Sequence, residues 1–129
     1  MRECLRILRA LSGETRLKLV RLLSREEICV CELEYILGLT QPAISQQVRI
    51  LRDAGLATAR REGNWMFYRI DPKDLEKALD RVKMFFLSST DQPDADDAME
   101  DEWRRFQEIL SEPLDNCPRV SKRDGDHSQ

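Results

Sequence analysis

The stretch Leu37–Leu56, LGLTQPAISQQVRILRDAGL, decides the fold. Gly38 suits the left-handed residue that ends a short helix. Thr40 is a good N-cap, and Pro42 falls in the first turn of the next helix, where a missing N–H costs nothing. Ile44, Val48 and Leu51 are spaced four and three apart, which makes one inward stripe. Gly55 closes the helix after Ala54. Off the stripe stand Gln41, Pro42, Ala43, Ser45, Gln46, Gln47 and Arg49. The pattern predicts two short helices joined by a glycine turn, the second with an apolar inner face and a polar outer one.

Upstream, a helix is expected from about Cys31 to Leu37. Glu14 to Leu23 predicts a helix burying Leu17 and Val20, with Leu19 or Leu23. Leu5, Leu8 and Leu11 predict an amphipathic first helix, broken by Ser12-Gly13. Downstream, the period changes to two. Residues 57–61 and Trp65–Ile70, joined by Glu62-Gly63-Asn64, read as strand, tight turn and strand. Asp71 and Pro72 start a fifth helix with Leu75, Leu79, Val82 and Phe86 on one face. The predicted fold is mainly α with a small β-hairpin, a winged helix-turn-helix over residues 1–87. Residues 88–112 read as an acidic linker and an amphipathic helix bearing Met99, Trp103, Phe106 and Leu110. Residues 113–129 carry too little apolar surface to order themselves.

The second helix of such a pair enters the major groove of DNA. Gln pairs with adenine, Arg with guanine or phosphate, and Ala43 fits a thymine methyl. Arg60, Arg61 and Arg69 sit on or beside the hairpin, in reach of phosphates or the minor groove. Residues 41–70 hold five Arg and two acids. Residues 1–87 as a whole carry 16 Lys/Arg against 12 Asp/Glu, and residues 88–129 carry 5 against 12. A basic body with an acidic extension directs a polyanionic partner to the body.

The chain has 129 residues, 41% hydrophobic and 35% charged, with four cysteines. No apolar run reaches the roughly 18 residues that span a bilayer, and no signal-peptide core opens the chain. The expectation is a cytoplasmic protein without a membrane partner, whose cysteines are ligands, sensors or buried thiols. There is no Cys-x-x-Cys, no Cys–His pair in the folded part and no phosphate loop, so no catalytic residues and no enzyme activity are expected.

Cys29 and Cys31 flank Val30 at the start of the Cys31–Leu37 helix. Two residues apart on a helix, they would point to nearly opposite sides; both grip one ion only if the segment is extended or unwound. The expectation is that binding pulls the helix start out of line, and that the helix N-terminus lowers the thiol pKa. Thiolates select soft ions. Residues 71–87 contain no His, and Asp74 with Asp80 makes a poor zinc site.

The segments ALSGETRLKLVRLL (10–23), ICVCELEYILGLTQPAISQQVRILRDAGL (28–56) and REGNWMFYRI (61–70) resemble the ArsR family of metalloregulatory repressors, over about residues 3–87. The resemblance implies a homodimer joined through the first and fifth helices, with Leu5, Leu8, Leu75, Leu79, Val82 and Phe86 at the interface. It implies one recognition helix on each half of an imperfectly palindromic operator. It also implies an arsenite/antimonite-responsive repressor, with As(III) or Sb(III) as inducer at Cys29 and Cys31 and no required cofactor. The arsenic-type third cysteine falls at Glu34 here, which leaves Cys4, Cys117 or a hydroxide as third ligand. The alternatives are a cadmium- or lead-responsive repressor and a thiol-redox switch of the same fold.

Overall fold

The computed structural model describes residues 1–88 and 98–116. The expected linker and tail fall mostly outside these residues, as do Cys117 and His127. The chain forms two compact units, Met1–Asp96 and Asp97–Gln129.

The first unit runs α1 (Arg2–Leu11), α2 (Glu14–Leu23), β1 (Ile28–Cys29), α3 (Val30–Leu37), α4 (Gln41–Asp53), β2 (Ala57–Glu62), β3 (Trp65–Ile70) and α5 (Pro72–Leu87). Each boundary has a local cause. Thr40 Oγ1 accepts from the Ala43 N–H at the start of α4, and Asp71 accepts from the Lys73 N–H at the start of α5. Gly38 ends α3 at φ +67°, a conformation that disfavours any residue with a Cβ. Gly63 takes φ +60° in the two-residue hairpin turn, while Asn64 stays at negative φ, the pattern of a type II′ connection.

Leu19, Leu23, Leu33, Ile44, Val48, Leu51, Leu56 and Ile70 are fully buried and tie α2, α3, α4 and the hairpin together. Each such side chain contributes roughly 1.5–3 kcal/mol relative to leaving it in water. The stripe Ile44-Val48-Leu51 faces inward as expected.

The α2 face differs from the sequence expectation at Leu17, and the apolar residues of α1 and α5 divide between the core and the surface. In α1 the buried residues are Cys4, Ile7 and Ala10, and Leu5 and Leu8 are exposed. In α2 Leu19, Val20 and Leu23 are buried, and Leu17 is half exposed. In α5 only Ala78 is buried; Leu75 and Val82 pack partly on the core, while Leu79 and Phe86 are 47% and 63% exposed. Both α1 and α5 thus have two apolar faces, and periodicity alone does not say which one meets the core. The two helices pack on each other, and Arg81 pairs with Glu3 across them.

The sheet has a third strand that sequence periodicity did not predict. Its order is β1-β3-β2, antiparallel, with Ile28 opposite Tyr68 and Cys29 opposite Phe67. The hairpin register runs from Ala57–Ile70 to Glu62–Trp65.

In the second unit, α6 (Glu100–Ser111) carries Trp103 and Phe106 with ring centroids 6.0 Å apart. Arg104 pairs with Asp101 and Glu108 on the same helix.

Candidate thiol site and nucleic-acid interface

The segment before α3 is extended as far as Cys29, the N-cap, at φ −73° and ψ 147°. Cys31 is the second residue of the helix. The chain turns at this cap, so the two side chains do not diverge as they would within a helix. Their Sγ atoms lie 3.3 Å apart, with Cys31 donating to Cys29. The sequence requires an extended or unwound segment for both sulfurs to meet; the N-cap supplies the extended form, and it brings them together in the folded chain.

Cys29 is buried and Cys31 exposed. Glu32, three residues after the cap, accepts from the Cys29 N–H at 3.0 Å. This is the return arm of a capping box, in which a carboxylate satisfies a backbone donor left over at the helix start. The pair also changes the acidity expected of a helix N-terminus. The neighbouring Cys29 thiol, followed by desolvation and the charge of a Cys29 thiolate, pushes the Cys31 thiol above its usual range. Two thiolates at this distance repel, so the second proton is held more tightly.

Cys4 lies elsewhere. It is buried on α1 and borders an open cavity of about 550 Å³ lined by Arg2, Arg81, Met84 and Phe85. Glu34 is half-buried on α3. Among the described residues, no group of three or more His, Cys, Asp or Glu side chains is placed to hold an ion.

The thiol pair joins the hairpin through the sheet. Directly paired residues on neighbouring strands share a face. Cys29 on β1, Phe67 on β3 and Arg60 on β2 therefore form one row across the sheet. The Arg60 guanidinium lies 4.6 Å from the Phe67 ring centroid. It donates to both oxygens of Glu27, at 2.7 and 3.2 Å, and to Glu62 at 2.6 Å. Arg60 holds the Glu27 carboxyl below the usual range, and the two carboxylates push Arg60 higher still. Arg60, expected to serve DNA, is engaged in the free protein by the two carboxylates of Glu27 and Glu62. Arg61 and Arg69 are exposed on the hairpin, and Trp65 is exposed at its tip.

On α4, Gln41, Pro42, Gln46 and Arg49 are exposed, whereas Ala43, Ser45 and Gln47 are half-buried. Gln41 Nε2 donates to Ser45 Oγ at 2.9 Å. Gln47 Oε1 accepts from Arg16 Nη1 at 2.5 Å. Sequence reasoning passed over Arg16, Glu27 and Glu32. The first two act across 31 and 33 residues, beyond any local spacing. Glu32 was readable, because a cap residue followed three positions later by Glu marks a capping box.

The sequence model described as "Bacterial regulatory protein, arsR family" matches residues 13–59. The arsenic resistance transcriptional regulator ArsR1 of Pseudomonas putida is 43% identical over 77 residues, which cover 57% of this chain and 60% of that protein. The chain thus spans well under two thirds of that relative's length. The crystal structure of a possible transcriptional regulator for arsenical resistance is 34% identical, with 66% of this chain and 88% of that one covered at a TM-score of 0.56. A homodimeric winged helix-turn-helix DNA-binding domain from Mycobacterium bovis, a possible ArsR-family regulator, is 29% identical, with 64% and 76% covered at a TM-score of 0.54. The helix pair, the wing and these likenesses agree: the chain belongs to the arsR family of bacterial regulatory proteins.

Proposed function

We propose that this chain is an arsenite- and antimonite-responsive transcriptional repressor. It binds an imperfectly palindromic operator as a homodimer through α4 and the hairpin, and As(III) or Sb(III) at Cys29 and Cys31 releases it. The observation that carries this reading is the 3.3 Å approach of the two sulfurs at the start of the DNA-reading helix pair. The relatives named for arsenic resistance support the same effector.

The chemistry of the pair favours arsenic over a divalent cation. Arsenous acid carries three hydroxides on arsenic. Each S–As bond forms as one hydroxide leaves with the thiol proton as water. Two thiols and As(OH)3 therefore give a bis-thiolate arsenic hydroxide and two waters, with no change of oxidation state and no proton released. Cadmium or lead must instead drive both thiol protons into solvent. The raised Cys31 thiol opposes that exchange and leaves the arsenous one untouched. The third position on arsenic is a hydroxide or a further thiol, Cys4 or Cys117.

The sheet supplies a route from ligand to DNA. Bonding Cys29 and Cys31 to one atom fixes the β1–α3 junction. That junction touches the wing through Phe67 and through the Glu27–Arg60 pair, and α3 packs on α4. A shift there withdraws hairpin contacts and recognition-helix contacts together.

The test is fluorescence anisotropy of the full chain on its own promoter DNA under reducing conditions, titrated with arsenite, antimonite, cadmium, lead and zinc. Arsenite and antimonite are expected to release the protein at the lowest concentrations. Cys29→Ser and Cys31→Ser are expected to bind DNA normally and to resist release. Release of Cys29→Ser at the wild-type arsenite concentration would overturn the thiol assignment, and release by cadmium alone would overturn the effector.

A further inference from the structure

Tyr35 on α3 is 90% exposed, more than any other large apolar or aromatic side chain among the described residues. A phenol ring is mostly apolar and ordinarily rests against a neighbour, with its hydroxyl on a partner. Here the ring lies open, and among the described residues the hydroxyl makes no hydrogen bond. Tyr35 follows Cys31 by four residues, so the two occupy one face of the helix, with Cβ atoms about 5–6 Å apart. Helical side chains lean toward the N-terminus, so a long side chain at position 35 can cover the turn that holds Cys31. Cys31 is itself exposed on that face.

We infer that Tyr35 is an effector-binding residue, whose hydroxyl donates to the hydroxide left on As(III) once Cys29 and Cys31 have bonded. The inference rests on the thiol-pair reading above and fixes its third position as hydroxide. The oxygen of that hydroxide has lone pairs to share and calls for a donor. The side chains of α3 offer few. Glu32 and Glu34, when ionised, only accept, and Glu32 already takes the Cys29 N–H. With the Cys31 thiol proton spent on bonding, Tyr35 is the one side chain of α3 that has a hydrogen to give.

Turning the ring over the thiol pair undoes no packing, because so little of it is covered. The cost is rotamer freedom, and the gain is one neutral hydrogen bond, together worth about fivefold in affinity. The gain exists only where the third position is a hydroxide. Tyr35 therefore favours inorganic arsenite over an organoarsenical whose third position is carbon.

The experiment is calorimetric titration of the full chain, kept reduced by a phosphine so that no added thiol competes, with arsenite and with phenylarsine oxide. Phenylarsine oxide bonds two thiols and releases one water; its phenyl group keeps the third position, and no hydroxide remains. Tyr35→Phe retains the ring and removes only the donor, at a position exposed enough to leave the fold intact. It is expected to weaken arsenite binding by about fivefold and to leave phenylarsine oxide binding unchanged. The arsenite concentration that releases the variant from operator DNA is expected to rise by the same factor. Wild-type arsenite affinity in Tyr35→Phe would overturn the inference, as would an equal loss for both arsenicals. If neither arsenical binds the wild type, the thiol-pair reading fails and takes the inference with it. That result differs from tight binding that Tyr35→Phe leaves intact, which sinks the tyrosine alone.

Discussion

Glu27 and Arg60, 33 residues apart in the chain, are joined by a two-pronged hydrogen-bonded ion pair, with Nη2 to Oε1 at 2.7 Å and Nε to Oε2 at 3.2 Å. Both groups are substantially exposed, so the pair is worth little as a source of stability. Its interest lies in what it removes. An arginine facing two carboxylates offers little net charge to a phosphate.

The three hairpin arginines are therefore expected to differ on DNA. Arg61→Ala and Arg69→Ala should each lower the slope of log K against log salt by about 0.9, the loss of one phosphate contact. Arg60→Ala should change that slope by less than half as much. Anisotropy titrations at four salt concentrations measure this, and three equal slopes would mean that Arg60 leaves its carboxylates when DNA arrives.

The raised Cys31 thiol sets a pH signature for each effector. A thiol with a raised pKa stays protonated over a wider range, so cadmium binding, which releases protons, should tighten as pH rises from 6.5 to 8. Up to two protons per ion predicts a change of about tenfold or more per pH unit. Arsenite exchange releases none, and its release midpoint should move by less than about threefold over the same range. Release midpoints for both effectors on one operator decide it, and parallel pH curves would contradict the exchange chemistry.

Leu79 and Phe86 on α5, with Leu5 and Leu8 on α1, expose apolar surface on two helices that pack together. A homodimer covering this surface is expected. Leu79→Glu should yield a monomer at micromolar concentration and weaken operator binding by at least about tenfold, since two half-sites no longer act as one. Sedimentation velocity reads the first effect and anisotropy the second. A Leu79→Glu dimer of wild-type affinity would move the interface elsewhere.

Glu32 satisfies the Cys29 N–H at the start of α3. Glu32→Ala should cost about 1 kcal/mol, lowering the thermal midpoint by about 4–8 °C in a domain of this size. Glu32→Gln, which can still accept, should recover most of it. Circular dichroism melts of the two variants make the comparison.

Most of the architecture is legible in the chain because its punctuation is local. Gly38, Thr40, Pro42, Gly55, Gly63 and Asp71 mark where elements begin and end, and the structure puts boundaries at or beside each. What escapes is what depends on a distant partner. Ile28-Cys29 is a strand only because Tyr68 and Phe67 pair with it. Arg60 looks like a DNA contact until Glu27 is seen beside it, and Gln47 looks like Gln46 until Arg16 is. The thiol pair is an intermediate case. The sequence places two cysteines two apart, but only the extended backbone of the N-cap decides that their sulfurs converge.

That convergence in the free protein has a consequence in time. If arsenic bonds to one sulfur, as proposed, the other stands within 3.3 Å of it, so the second bond would close as an intramolecular step at a very high effective concentration. No helix has to melt first, and the slow event is the first attack, which waits on the thiolate. Leaving is different, because one broken bond re-forms before the second breaks. On the proposed reading, such a sensor is expected to complete its second bond quickly and to reset slowly, so that the operator stays open after the free metalloid has fallen.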